Sequence, residues 1–199
     1  MMRNFQLLSC FIVLAWLTGC SGEPKKVLIM ASGKIQVNEN TITLEPGTTH
    51  NEEELMVNGD KITVKAPSGD MDIEVKEGGL YLLNLKKDTL VGSYQRVGTS
   101  TEQIKISRED LKHRLDSMVM LMQGQNVSKE NRNYWIAPMK MEKITGNTQA
   151  QIVGPFQNLP RSYDPNKEHE IYKFHTNKEV VEIIEKIRPM TETGEVENE

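Results

Sequence analysis

Four histidines and eleven methionines are the side chains of this sequence best suited to hold a metal or move a proton. Their spacing argues against a shared site. His169 and His175 would lie on one face of an unbroken strand, yet about 20 Å apart. Glu168 and Glu170 flank the first of them, but "HEIYK" lacks the second histidine of a zinc-protease helix. Thioethers suit Cu(I), which makes "MVMLM" (118–122) and "MKM" (139–141) worth weighing. At 100° per residue, Met118 and Met122 fall within about 40° of a Leu111/Leu115 stripe, while Met120 points away. His113 shares Met120's face but is about 10.5 Å further along the axis. The expectation is core-filling methionines, surface histidines (His50 and His113 included) and no metal centre.

Covalent and phosphate chemistry is equally thin. The sequence has no Gly-x-Ser-x-Gly elbow and no Ser-x-x-Lys. Gly33-Lys34 has Leu28 and Ile35 where a phosphate loop needs glycine and Ser/Thr. Asp70-Met71-Asp72 does not continue into a calcium loop. The two carboxylates of a glycosidase would be invisible in a linear sequence. No catalytic residue and no cofactor is therefore assigned. Tyr134-Trp135 is the remaining candidate: the pair follows a polar loop and could contact a sugar face or a protein partner. The blander expectation is one ring buried under a helix and the other at the surface.

Cys20 raises a different kind of chemistry. Arg3 precedes a 13-residue apolar run, Phe5 to Leu17, and then Thr18-Gly19-Cys20. A positive end, a short apolar run and small residues describe a removable secretory signal. As a helix the run would reach about 20 Å, short of a bilayer core of about 30 Å. Leu17-Thr18-Gly19-Cys20 resembles the lipobox of bacterial lipoprotein precursors. That resemblance, confined to residues 1–22, implies cleavage before Cys20, diacylglycerol on its sulfur and a palmitate-class acyl chain on its new amino group. Several chains on one residue exceed what stable anchoring requires. Cys10 would leave with the signal, so a blocked Cys20 would be the mature chain's only cysteine and no thiol chemistry would remain. Ser21 after the cysteine implies the outer membrane under the enteric sorting pattern, with the periplasmic or surface face left open.

Composition narrows the partners. With 24 basic and 28 acidic residues the formal charge is -4, and loss of Arg3 would add one negative unit. Nucleic acid is not expected, since phosphate binding needs clustered cations. Lys25-Lys26 are too few for a polybasic membrane anchor.

The elements that must position any site follow from periodicity. Turn signals recur at Asn58-Gly59-Asp60, Pro67-Ser68-Gly69-Asp70, Glu77-Gly78-Gly79 and Lys86-Lys87-Asp88. Between them lie "KITVKA", "MDIEV", "LYLLNL" and "TLVGSY"; upstream, "KVLIMA", "KIQV" and "TITLE" also read as strands. Short strands at this rhythm suggest an antiparallel meander, sandwich or small barrel. Further on, Ser107 with Asp110 can cap a helix carrying Leu111, Leu115, Met118, Val119 and Met122, stopped by Gly124. "MKMEKIT" and "AQIVGPF" read as a hairpin around Gly146-Asn147, and "HEIYKF" as a strand. A last helix begins at Thr176 with Glu179, carries Val180, Ile183, Ile184 and Ile187, and is expected to stop at Pro189.

The expected organisation is α+β: signal 1–19, lipidated tether 20–26, a β-rich part 27–105, a mixed part with two amphipathic helices 106–189, and an acidic disordered tail 190–199. Asp88-Thr89-Leu90 and Asp116-Ser117-Met118 resemble the O-glycosylation acceptor of some envelope proteins, the first being expected to be the more accessible. The expected function is a membrane-anchored envelope lipoprotein that binds another protein as an accessory subunit. The alternatives are a glycan-binding lipoprotein, with contacts near Trp135, and a small hydrolase.

Overall fold

A computed structural model describes residues 23–95, 107–154 and 169–192. Its middle is set by two strands with no polar alternation. In β1 (Lys25–Ala31) the last five residues are buried, and in β7 (Gly79–Leu85) all seven are. A strand buried on both faces must lie between two layers, and parallel pairing of such strands is the usual outcome. Here β1 and β7 pair in parallel, Lys25 opposite Gly79 and Ala31 opposite Leu85. β4 (Asn51–Met56) and β10 (Lys140–Thr145) flank them antiparallel, giving a central sheet in the order β10-β7-β1-β4.

One face of the central sheet packs on an N-terminal sheet. β2 (Lys34–Asn38) and β3 (Thr41–Glu45) form a hairpin, as do β5 (Lys61–Ala66) and β6 (Gly69–Glu74). The hairpins join through a parallel β3/β5 pair. Val27, Ile29 and Leu83 meet Ile42, Ile62 and Val64 between these layers. The opposite face packs on a third sheet, ordered β11-β12-β8-β9. It contains β8 (Leu90–Gln95), β9 (Asn133–Ile136), β11 (Gln151–Val153) and β12 (Ile171–Thr176). Leu28, Met30 and Leu82 meet Tyr134, Tyr172 and Phe174 there. Gly92 is required at this interface, because a Cβ would lie 2.4 Å from Phe174 Cδ1 and 2.6 Å from the Lys173 carbonyl oxygen.

Two helices cover the outer face of the third sheet. α1 (Arg108–Met122) starts with the Ser107/Asp110 capping box. It ends with Gly124 left-handed, as the amides of Gly124 and Gln125 return to the carbonyls of Leu121 and Met120. α2 (Asn177–Glu192) starts with the reciprocal Thr176/Glu179 bonds. Val180 and Ile184 of α2 pack with Leu115 and Val91.

The described residues are β-rich with two helices, in agreement with the coarse α+β expectation. Several finer expectations are corrected. The sheets are mixed rather than antiparallel, and all three are open rather than closed into a barrel. Only the Pro67–Asp70 turn joins paired neighbours; the other three named turns carry the chain between layers. The segments around Gly146-Asn147 are not a hairpin, since β10 joins the central sheet and β11 pairs in parallel with β12. α2 runs through Pro189 to Glu192, so the proline does not stop it and residues 190–192 are helical. Proline lacks one amide donor, and this near the helix end removes a single bond. Residues 1–22, including Cys20, and 193–199 lie outside the described residues. None of the described helices is long and apolar enough to cross a membrane.

Candidate functional site

Strand parity separates the two aromatic residues flagged from sequence. Tyr134 of β9 lies opposite Gly92 on the inner face, is 8% exposed, and packs edge-on to Tyr172 with centroids 5.8 Å apart. Its hydroxyl donates to the Ile144 carbonyl. Trp135, one residue on, points to the outer face opposite Val91 and keeps 39% exposure. Its Nε1 donates to the Met122 carbonyl at 3.3 Å, and its ring lies 3.8 Å from a Cβ built at Gly124. Trp135 thus closes the last turn of α1 against an edge strand, and the two rings do not form one platform.

Around Tyr134 sits a polar network with Glu170 at its centre. The Tyr172 hydroxyl donates to Glu170 Oε1 at 2.6 Å, Asn147 Nδ2 donates to Oε2 at 2.9 Å, and the Arg132 guanidinium stands 3.2 Å from Oε1. Burial alone would raise the Glu170 carboxyl. The bonds from Tyr172, Asn147 and Thr145, with the Arg132 charge, outweigh burial and hold it below the ordinary carboxylate range. Burial and the neighbouring carboxylate push the Tyr172 phenol well up. Arg132 takes a left-handed backbone (φ 53°) and lays its guanidinium 4.5 Å over the Tyr94 ring. A hollow of about 230 Å³ adjoins this network, with Lys129, Lys143 and Glu77 at its rim. Lys143 pairs with Glu77 at 2.7 Å. The Glu77–Lys143 and Glu170–Arg132 pairs compensate each other's charge, which suits a structural lock better than a ligand site. In the sequence Glu170 stands out only as a neighbour of His169, and nothing in the spacing joins it to Arg132 and Asn147.

A second polar concentration lies where β7 leaves the central sheet. Lys86 is 6% exposed; burial lowers its pKa, and the charges of Glu179, Glu52 and Asp88 oppose that. Asp88 accepts from the Lys178 amide at 3.0 Å, capping α2 from outside. Thr89 is 9% exposed and accordingly not the accessible acceptor expected of it, whereas Ser117 is exposed on α1.

The largest concave feature among these lies between the helices and the third sheet. Register places Val91 beside His175 and Ser93 beside Lys173 on the outer face. Above them α1 contributes Arg114, Met118 and Leu121, and α2 contributes Val180 and Ile183. The cleft measures about 760 Å³, inside the roughly 300–1,000 Å³ range of small-molecule sites. His113 and His175 both line it, a pairing unlike the His169/His175 one weighed from sequence. Burial lowers the His175 pKa, with the Lys173 charge adding to the effect and the Glu179 charge opposing it. Among the described residues no three His, Cys, Asp or Glu side chains converge as a metal site.

No family profile, curated protein or solved structure matches the chain.

Proposed function

We propose that the chain is a lipid-anchored protein of the bacterial outer membrane that acts by binding another envelope protein as an accessory subunit. Leu17-Thr18-Gly19-Cys20 supports the anchor. With β1 starting at Lys25, the five residues beyond Cys20 can span at most about 18 Å. That tether would hold the pole formed by the starts of β1 and β7 near the bilayer surface. The single observation favouring a protein partner is Trp135: a large ring, 39% exposed, fixed by its own hydrogen bond on an edge strand. Rigid aromatic side chains of this kind dominate binding hot spots.

Affinity purification from detergent-solubilised membranes tests both parts. A stoichiometric partner should be retained by the wild type and depleted by Trp135→Ala, while Cys20→Ser should leave the membrane fraction. A single clean species from wild-type membranes would remove the accessory-subunit reading. One observation favours a second reading, a ligand-binding lipoprotein: the cleft of about 760 Å³ beneath the helices.

A further inference from the structure

We infer that the cleft between α1, α2 and the outer face of the third sheet binds an anionic amphiphile with a single acyl chain. This rests on the ligand-binding reading and is independent of any protein partner. The first ground is incomplete packing. Leu115 is the one buried residue of α1, while Met118 and Leu121 are only partly covered and border the cleft together with Ile183 of α2. An apolar wall facing a volume of this size is stabilised when a hydrocarbon chain replaces water. Methionine at such a wall adapts to chains of differing length.

The second ground is charge. Lys173 and Arg114 line the cleft, and Lys173 has no carboxylate within ion-pairing distance among the described residues. Among the described lining residues Asp110 is the one carboxylate; its charge acts on Arg114, which leaves the Lys173 charge in surplus. The polar part of the cleft is therefore cationic in balance, which fits a carboxylate or phosphate head.

The third ground is an orphan atom. His175 Nδ1 is buried without a hydrogen-bond partner among the described residues, and a buried polar atom left this way calls for a partner. His175 lies opposite Val91 and two residues along β12 from Lys173, so a cationic and an apolar group both border it in the cleft. Water alone could serve His175, yet it would leave Met118, Leu121 and Ile183 wetted.

Photo-crosslinking of the full chain in phosphatidylcholine nanodiscs, with a diazirine-bearing dodecanoic acid as probe, tests this. Labelled peptides should map to residues 110–121 and 173–183. Dodecanoate should compete, and dodecyltrimethylammonium should compete at least about tenfold less well. Lys173→Glu with Arg114→Gln should weaken dodecanoate competition about tenfold, the loss expected for one charge-assisted contact. Met118→Trp, verified as folded by circular dichroism, should sharply reduce the labelling by narrowing the cleft at its apolar wall. Equal competition by the cationic amphiphile would overturn the anionic assignment while leaving a ligand-binding cleft. Labelling spread over the surface or the apolar leader, and indifferent to Met118→Trp, would overturn both.

Discussion

The central strands β1 and β7 and the helical layer are packed to different standards. β7 buries every one of its residues and β1 its last five. α1, twice as long, buries Leu115 alone. The difference follows from composition and position together, since α1 carries charged residues on most of its surface whereas β7 carries none. The central strands are clamped between two other sheets, so each side chain meets a partner whichever way it points. α1 rests on the third sheet along one stripe, beside a cleft of about 760 Å³. Rigidity is thus concentrated in the middle of the molecule and adaptability at its helical flank, where a guest could be accommodated without disturbing the core.

Truncation should expose that contrast most strongly. Leu83→Ala, at a fully buried central position, should cost about 3–4 kcal/mol, whereas Leu115→Ala, in the small helical cluster with Val91, Val180 and Ile184, should cost about 2 kcal/mol or less. Denaturant titration of the two variants measures both. Equal losses would mean that the helical layer is packed as tightly as the centre, and the contrast would fail. Asn84 probes the junction between the layers. It is wholly buried, donates to the carbonyls of Asp88 and Ile136, and accepts from the Lys86 amide. Asn84→Ala strands all three partners and should cost about 2–3 kcal/mol. A smaller loss than Leu115→Ala shows would place the junction outside the rigid centre.

Sequence reading reached these layers unevenly, for reasons visible in single residues. Both helix caps were legible because a capping box is local: Ser107 and Thr176 each find their partner three residues on. The turns at 58–60, 67–70, 77–79 and 86–88 were legible for the same reason. Pairing was not, because Glu77-Gly78-Gly79 looks the same whether it closes a hairpin or carries the chain to another sheet. β4 escaped notice since "NEEELM" places three glutamates in succession and shows no alternation. β9 is only four residues long, and the left-handed Arg132 before it has no sequence signal. At the candidate sites, Tyr134-Trp135 was visible as a pair, but the face that each ring takes depends on the register with β8. The cleft was invisible, because Lys173, Arg114 and Ile183 meet only through tertiary packing.

Smaller effects sharpen the contrast from the helical side. Thr176 Oγ1 accepts from the Glu179 amide at 3.2 Å, and Thr176→Ala should cost about 1 kcal/mol. Asp88 still holds the Lys178 amide, so α2 should stay docked. Undocking of α2 in this variant, seen by amide hydrogen exchange, would show the helical layer to depend on a single cap. Glu170 adds a pH signature to the third sheet. Its carboxyl is held below the ordinary value of 4.5 in the folded state. The folded state therefore binds that proton more weakly, and the stability it contributes is complete above about pH 4.5 and lost as acid titrates the folded carboxyl. Glu170→Gln should flatten the fall in stability below that pH. An unchanged acid profile would show that the Arg132–Glu170–Tyr172 network does not contribute to acid sensitivity.

The least costly change should lie at the far end of α2. Pro189 sits in the helix, exposed, after the buried anchors Val180 and Ile184 have been placed. An interior proline costs about 3 kcal/mol because it removes an amide donor and crowds the preceding turn. Here only the last turn bears that cost, and among the described residues none beyond Ile187 packs in the helical cluster. Pro189→Ala should consequently raise helical circular dichroism slightly while moving the denaturation midpoint by less than about 0.5 kcal/mol. If the substitution stabilised the whole protein by more than about 1 kcal/mol, the end of α2 would be coupled to the core. The helical flank would then be as cooperative as the central sheet, and its looseness would be confined to the α1 side of the cleft.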